Sequence, residues 1–238
     1  MTRMAVSTKS LDYEQAGQTY EGFLAMPEGK PKAVVLVSHA WGGQNEFDHE
    51  KAKMLAEWGY AGFALDVYGK GKRGSTKEES QALMEPLASN RAELQNRLKY
   101  SLEVAKKESG CDTAAAIGFC FGGLCVLDMA RAGMDVEGVA SFHGILGAPG
   151  NTGGHKTKSK VLALHGWDDP MAKPEDVMAF SKEMTDAGAD WQLHAFGGVM
   201  HAFTNPEAND PDFGTVYDPA AERRSFAILK DYLEELFG

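Results

Sequence analysis

The stretch that most restricts how this chain folds is Ile117-Gly118-Phe119-Cys120-Phe121-Gly122-Gly123. The short apolar run Thr113–Ile117 precedes it, and Leu124–Ala130, of helix-forming composition, follows and stops near Gly133. The pattern predicts a strand, a tight turn and a helix, with Cys120 at the bend. The spacing is Gly-x-Cys-x-Gly, the cysteine form of a nucleophile elbow. A side chain on such a strained turn stands clear of the backbone. Small residues two before and two after it are needed because neighbouring segments crowd the turn. The helix that follows aims its unpaired N–H groups at the sulfur, which favours a thiolate. A buried, inert cysteine fits the heptapeptide alone equally well, so partners elsewhere in the chain decide between the two.

Around this turn, strands alternate with helices. Ser10–Met26 has the pattern of a hairpin turning at Gly17-Gln18. Ala33-Val34-Val35-Leu36-Val37 is a continuous apolar run, as expected of a strand buried on both faces. Further strands are predicted at 60–65, 112–117, 136–142, 161–165 and 191–196. Helices are predicted at 46–58, 77–87, 91–107, 175–187 and 220–237. In the last of these, Phe226, Leu229, Leu233 and Leu236 recur at helical spacing. The alternation predicts an α/β protein with a mostly parallel central sheet and helices on both faces. Residues 1–238 are expected to form one domain. Gly69–Gly74 is glycine- and lysine-rich but lacks the Gly-Lys-Ser/Thr ending of a phosphate-binding loop, and is expected to be a solvated loop.

The chain has 238 residues and a formal net charge of −10. That balance argues against nucleic acid and anionic membrane surfaces as partners. No apolar run reaches the length of a membrane helix, and Met1–Val6 lacks the apolar core of a signal peptide. The three cysteines, Cys111, Cys120 and Cys125, have no metal-type spacing and are expected to be free thiols in a reducing, cytoplasmic setting.

In a sheet of this kind, functional groups collect at the carboxyl ends of strands. The strand at 161–165 leads into His165-Gly166-Trp167-Asp168-Asp169-Pro170, and the strand at 191–196 into Gly197-Gly198-Val199-Met200-His201-Ala202-Phe203. The order is nucleophile, acid, base: Cys120, Asp169, His201. In these roles Cys120 attacks an electrophilic centre. His201 pairs with it, protonates the leaving group and later activates water, while Asp169 fixes the His201 ring. Asp168 is the alternative acid. Oxyanion donors are expected at Phe121 N–H and at Trp41 N–H, in the loop after the Ala33–Val37 strand. His39 and His165 are expected to hold loops by hydrogen bonds, and His143 is a candidate for the site. A small molecule is the expected partner. The rival reading is a non-enzymatic small-molecule binding protein of the same fold.

With these motifs the chain resembles the dienelactone hydrolase family. The residues that carry the likeness are Gly118–Gly123, His165–Pro170 and His201-Ala202-Phe203. The resemblance implies a compact α/β-hydrolase fold without a cap domain, no cofactor or metal, and a thiol triad that cleaves esters or lactones through a thioester. Family members that act on dienelactone keep a glutamate where Ala40 stands here, and grip the substrate carboxylate with arginines. Here Thr204-Asn205 follows the histidine motif, and Glu78-Glu79 lie in the other arginine's region. Neutral, activated esters are therefore the expected substrates, with neutral phosphotriesters a further target of the same thiolate and oxyanion hole. Ala40, His143, Trp167 and Phe203 are expected to line the pocket, and a monomer or homodimer is expected.

Overall fold

A computed structural model of the chain describes residues 5–153 and 156–238. The first four residues, part of the stretch read for a leader, lie outside them. The amino-terminal half runs β1 (Val6–Gln15), β2 (Gln18–Pro27), β3 (Val34–Ser38), α1 (Glu46–Glu57), β4 (Ala61–Leu65), α2 (Lys77–Ser89) and α3 (Arg91–Ser109). Then come β5 (Ala114–Phe119), α4 (Phe121–Arg131), β6 (Gly138–Phe142), β7 (Lys160–Gly166), α5 (Pro174–Asp186) and β8 (Trp191–Phe196). A small hairpin, β9 (Asn209–Asp210) and β10 (Thr215–Val216), precedes α6 (Pro219–Phe237).

Eight strands form one sheet in the order β1-β2-β4-β3-β5-β6-β7-β8. The β1–β2 and β2–β4 pairs are antiparallel. Every pair from β4 through β8 is parallel. Side chains alternate between two cores, as the two-residue period of a strand requires. Val34, Leu36 and Ala116 pack with Leu98 of α3, Leu124 of α4 and Phe180 of α5. Val35, Val37 and Ile117 pack on the other face with Leu55 of α1 and Leu229 and Leu233 of α6. That two-sided burial is why these strands read as unbroken apolar runs. No cap domain is present among the described residues, and none of their helices is long and apolar enough to cross a membrane.

The hairpin β1–β2 is longer than its sequence pattern suggests. Helix α2 continues to Ser89 through Pro86. The pair β9–β10 was not expected, because two-residue strands show no alternation to detect.

Helix α4 carries a buried ion network. Asp128 is fully buried and accepts from Arg91 Nε and Nη2, both at 2.6 Å. Arg131 reaches the same carboxylate at 3.4 Å, donates to Leu146 O at 2.7 Å and pairs with Glu183. The network ties α3, α4 and α5 to the loop after β6. Removing one partner of a buried pair strands the other charge. Arg91→Ala leaves Asp128 only the longer contacts to Arg131 and Gln95 and is expected to cost about 3 kcal/mol of stability. Urea denaturation checks this as a lower midpoint with the slope unchanged.

Candidate active site

The elbow forms as its residues dictate. Cys120 follows β5 and caps α4 with φ 56° and ψ −114°, outside the regions that non-glycine residues favour. Its N–H donates to Phe142 O at 3.1 Å, which pins the turn to β6. A Cβ on Gly118 would lie 2.0 Å from Gly122 O, and one on Gly122 would lie 2.0 Å from Ser38 O. Both glycines are therefore required by close backbone approach.

Cys120 opens onto a cavity of about 700 Å³ at the carboxyl edge of the sheet. Ala40, Trp41, Phe119, His143 and His201 are among its walls. Four non-glycine residues have positive φ among the described residues: Ala16, Cys120, His143 and Ala202. Three of them line this cavity. Backbone strain concentrated in this way marks a site that the surrounding fold is built to hold.

His201, after β8, is buried, and its Nδ1 donates to Asp169 Oδ2 at 2.7 Å. Asp169 Oδ1 accepts from Met171 N–H at 2.8 Å, which fixes the carboxylate. Asp168 is exposed on the other side of the turn and makes no bond to the histidine. The other ring nitrogen, His201 Nε2, is buried and has no hydrogen bond of acceptable geometry among the described residues. Burial works to lower the His201 pKa. Charge on Cys120 and the bond to Asp169 outweigh it and push the value up to about 10.

Two more histidines pack around this pair. His143 Nε2 bonds Thr204 Oγ1 at 2.8 Å, and its ring meets His201 edge-on at 5.1 Å. Burial, then the charge on His201, holds its pKa well below the usual range. His165 is buried, and neither ring nitrogen is hydrogen-bonded among the described residues. Its ring faces the Ala172 backbone, in the loop after β7, and burial lowers its pKa too. His39 holds a loop: its Nε2 accepts from Val67 N–H at 3.3 Å, so Nδ1 donates to Ala40 O at 2.7 Å.

The loop after β3 is fixed on its outer side. Gly43 N–H donates to Ala40 O at 3.1 Å, and Tyr68 Oη donates to Trp41 O at 2.9 Å. No acceptor among the described residues meets the Trp41 N–H. Phe121 opens α4, where the first N–H groups have no intrahelical partner.

Two residues expected in the pocket lie elsewhere. Phe203 is fully buried in the core against Phe196 and the edge of His143. Trp167 is 42% exposed, and its backbone N–H donates to Phe196 O at 2.9 Å. The sequence reading missed Asp48, Lys77, Met84, Ile145 and Phe213, which also line the cavity. Among the described residues Lys77 is the only lysine or arginine there, and it is paired with Asp210 at 2.7 Å. Its position beside the glutamates at 78 and 79 is the one signal that pointed to this helix. Among the described residues no cluster of three or more His, Cys, Asp or Glu is arranged to hold a metal ion.

The parallel sheet, the strained elbow and the residues gathered at its carboxyl edge define an α/β hydrolase. A sequence model of the dienelactone hydrolase family matches residues 20–237, and the chain belongs to that family. It is a hydrolase of that type. It is similar to a dienelactone hydrolase-like promiscuous phosphotriesterase from metagenomic libraries, with a TM-score of 0.91, 30% identity, and coverage of 98% of this chain and 100% of the other. An uncharacterized protein of Caenorhabditis elegans is 35% identical over 153 residues, 61% of this chain and 95% of that one. An Aquifex aeolicus protein provisionally assigned as a carboxymethylenebutenolidase is 27% identical over 94% of this chain and 98% of its own.

The wall residue Asp48 gives a test of the site's electrostatics. It is buried, accepts from Asn45 N–H at 2.9 Å, and burial raises its pKa from 3.8 to about 7. Between those values the folded chain holds a proton that the unfolded chain has lost, so stability falls as pH rises through the window. Asp48→Asn keeps an acceptor for Asn45 and removes the titration. Its stability relative to wild type is expected to increase from pH 4 to pH 7, read from urea midpoints at several pH values.

Proposed function

We propose that the chain hydrolyses neutral, activated esters and lactones through a covalent intermediate on Cys120, with His201 as acid and base and Asp169 as its orienting carboxylate. The observation that carries this reading is the His201 ring, bonded to Asp169 through Nδ1 with Nε2 unbonded, in the wall that carries Cys120. A ring with its pKa pushed up to about 10 is protonated at neutral pH.

The sulfur attacks the carbonyl carbon and the carbonyl electrons move to oxygen. Phe121 N–H and Trp41 N–H stabilise that oxyanion. His201 gives its Nε2 proton to the departing alkoxide, leaving a thioester on Cys120. The neutral ring then takes a proton from water, whose oxygen attacks the thioester. Collapse of the second oxyanion releases the acid and returns the sulfur to its pair with His201.

Substrate charge follows from the walls. The one lysine in the cavity is already neutralised by Asp210, and Asp48 and Glu207 add carboxyls. A substrate carboxylate finds no free cation there, whereas Trp41, Met84, Ile145 and Phe213 suit an uncharged, partly aromatic group. Neutral phosphotriesters meet the same demand, because attack on phosphorus also builds charge on one oxygen. The likeness to a promiscuous phosphotriesterase supports including them.

Cys120→Ala and His201→Ala are each expected to abolish turnover of p-nitrophenyl acetate. Asp169→Asn should lower kcat by about 10³–10⁴ by analogy with serine triads, while Asp168→Asn leaves it near wild type. Mass spectrometry of acid-quenched enzyme should find the acyl group on Cys120. Undiminished turnover by Cys120→Ala sinks the reading. The same variants assayed with an aryl phosphotriester test the second substrate class.

A further inference from the structure

The outer wall of the cavity is built by side chains that neither the elbow nor the late strands supply. Phe213 lies in the turn between β9 and β10 and stacks on Trp41 with centroids 5.8 Å apart and planes at 18°. Lys77, the first residue of α2, places its ammonium 4.0 Å from the centre of the Phe213 ring. The same ammonium bonds Asp210 Oδ2 at 2.7 Å. All four residues line the cavity that holds Cys120.

This wall is joined to the site's backbone at two places. His201 N–H donates to Gly214 O at 3.0 Å, and Val216 N–H donates to His201 O at 3.0 Å. Trp41 belongs to the loop after β3. Phe213 therefore cannot move without disturbing either the Trp41 stack or the Lys77–Asp210 pair. That pair is half exposed, at 53% and 43%, so it adds little to the stability of the fold. Its consequence is geometric: it holds the short hairpin and its aromatic ring against α2.

We propose that Phe213, positioned by the Lys77–Asp210 ion pair and by Trp41, sets the bulk of the group that can reach Cys120. The hydrolytic side of this proposal rests on Cys120 as the nucleophile, but access to the sulfur is measurable without turnover. A flat ring stacked on Trp41 leaves room for compact or planar groups and excludes branched ones. Truncating the ring opens the wall. Breaking the ion pair lets the hairpin lift away from α2 and has the same effect to a smaller degree.

The test compares alkylation of Cys120 by iodoacetamide and by the bulkier N-phenylmaleimide, with peptide mass mapping to separate Cys120 from Cys111 and Cys125. Phe213→Ala is expected to raise the bulky-to-compact rate ratio by about tenfold, the scale at which a pocket discriminates by size, with Phe213→Leu in between. Lys77→Asp and Asp210→Lys should each raise it several-fold. The double variant with the charges exchanged should fall clearly below both single variants, short of wild type because Asp210 Oδ1 also accepts from Phe213 N–H at 3.0 Å; a merely structural role for either residue does not explain such recovery. Hydrolysis of p-nitrophenyl acetate and of a branched acyl ester should follow the same order, chiefly through KM. An unchanged ratio in Phe213→Ala and Phe213→Leu, or an exchanged pair as permissive as the singles, overturns the proposal. If alkylation follows this order and no ester is turned over, the wall stands and the hydrolytic reading falls. If esters are turned over with selectivity unaltered, the reverse holds.

Discussion

The site depends on one backbone constraint: Cys120 held in a conformation that its own side chain disfavours. A non-glycine residue at φ 56° and ψ −114° persists only where its surroundings over-determine it, at a cost of about 1–3 kcal/mol. Here the surroundings are the two central strands. The bond from Cys120 N–H to Phe142 O fixes the turn against β6, and the Gly122 contact with Ser38 O fixes it against β3. With β5 between those neighbours, the loops after β3 and β6 open beside the elbow, and those after β7 and β8 follow along the same edge. Trp41, His143, Asp169 and His201 converge because parallel strands bring their carboxyl ends together.

The same burial that builds the site decides where its charge sits. His143 and His165 lie close to His201, and both have lowered pKa values through burial and the repulsion of a charged His201. His201 is equally dry, yet its value is raised, because Cys120 and Asp169 lie on either side of it. Of these three buried rings, only His201 is pushed toward its charged form. His143, held by Thr204 Oγ1, supplies a neutral edge at 5.1 Å instead of a competing cation. Burial lowers the pKa of His143 and His165, and only at His201 do the neighbouring groups outweigh it.

Most of this was legible in the residues, for physical reasons that also explain the gaps. Central strands such as Val34–Ser38 announce themselves because burial on both faces demands unbroken apolar runs. The elbow, the acid turn and the histidine loop were readable because parallel strands place such groups at a fixed edge. The choice between Asp168 and Asp169 rested on spacing alone. In the structure one carboxylate turns inward to His201 and the other outward to solvent. Side-chain direction in loops was the weak point. Trp167 and Phe203 flank the motifs equally in sequence, but one turns out to solvent and the other packs into the core. The hairpin β9–β10 left no periodic trace, and its ring reaches the cavity only through contacts with residues far away in the chain.

That division between what sequence shows and what it hides follows the division of labour in the molecule. Bond making needs atoms held to a fraction of an ångström, and the groups proposed to react come from strand ends and a helix start, whose geometry is set by the sheet. Choosing among substrates needs only a wall at the right distance, which irregular chain can supply at little cost to the fold. The Lys77–Asp210 contact joins one helix start to one short hairpin, and neither contributes a strand to the central sheet. Substitutions at the elbow must satisfy the Gly118 and Gly122 contacts, the Cys120 turn and the core at once. Substitutions at Phe213 or Asp210 need satisfy only the cavity. A chain built this way can keep its chemistry fixed while the substrates it admits change, because the two properties rest on different kinds of structure.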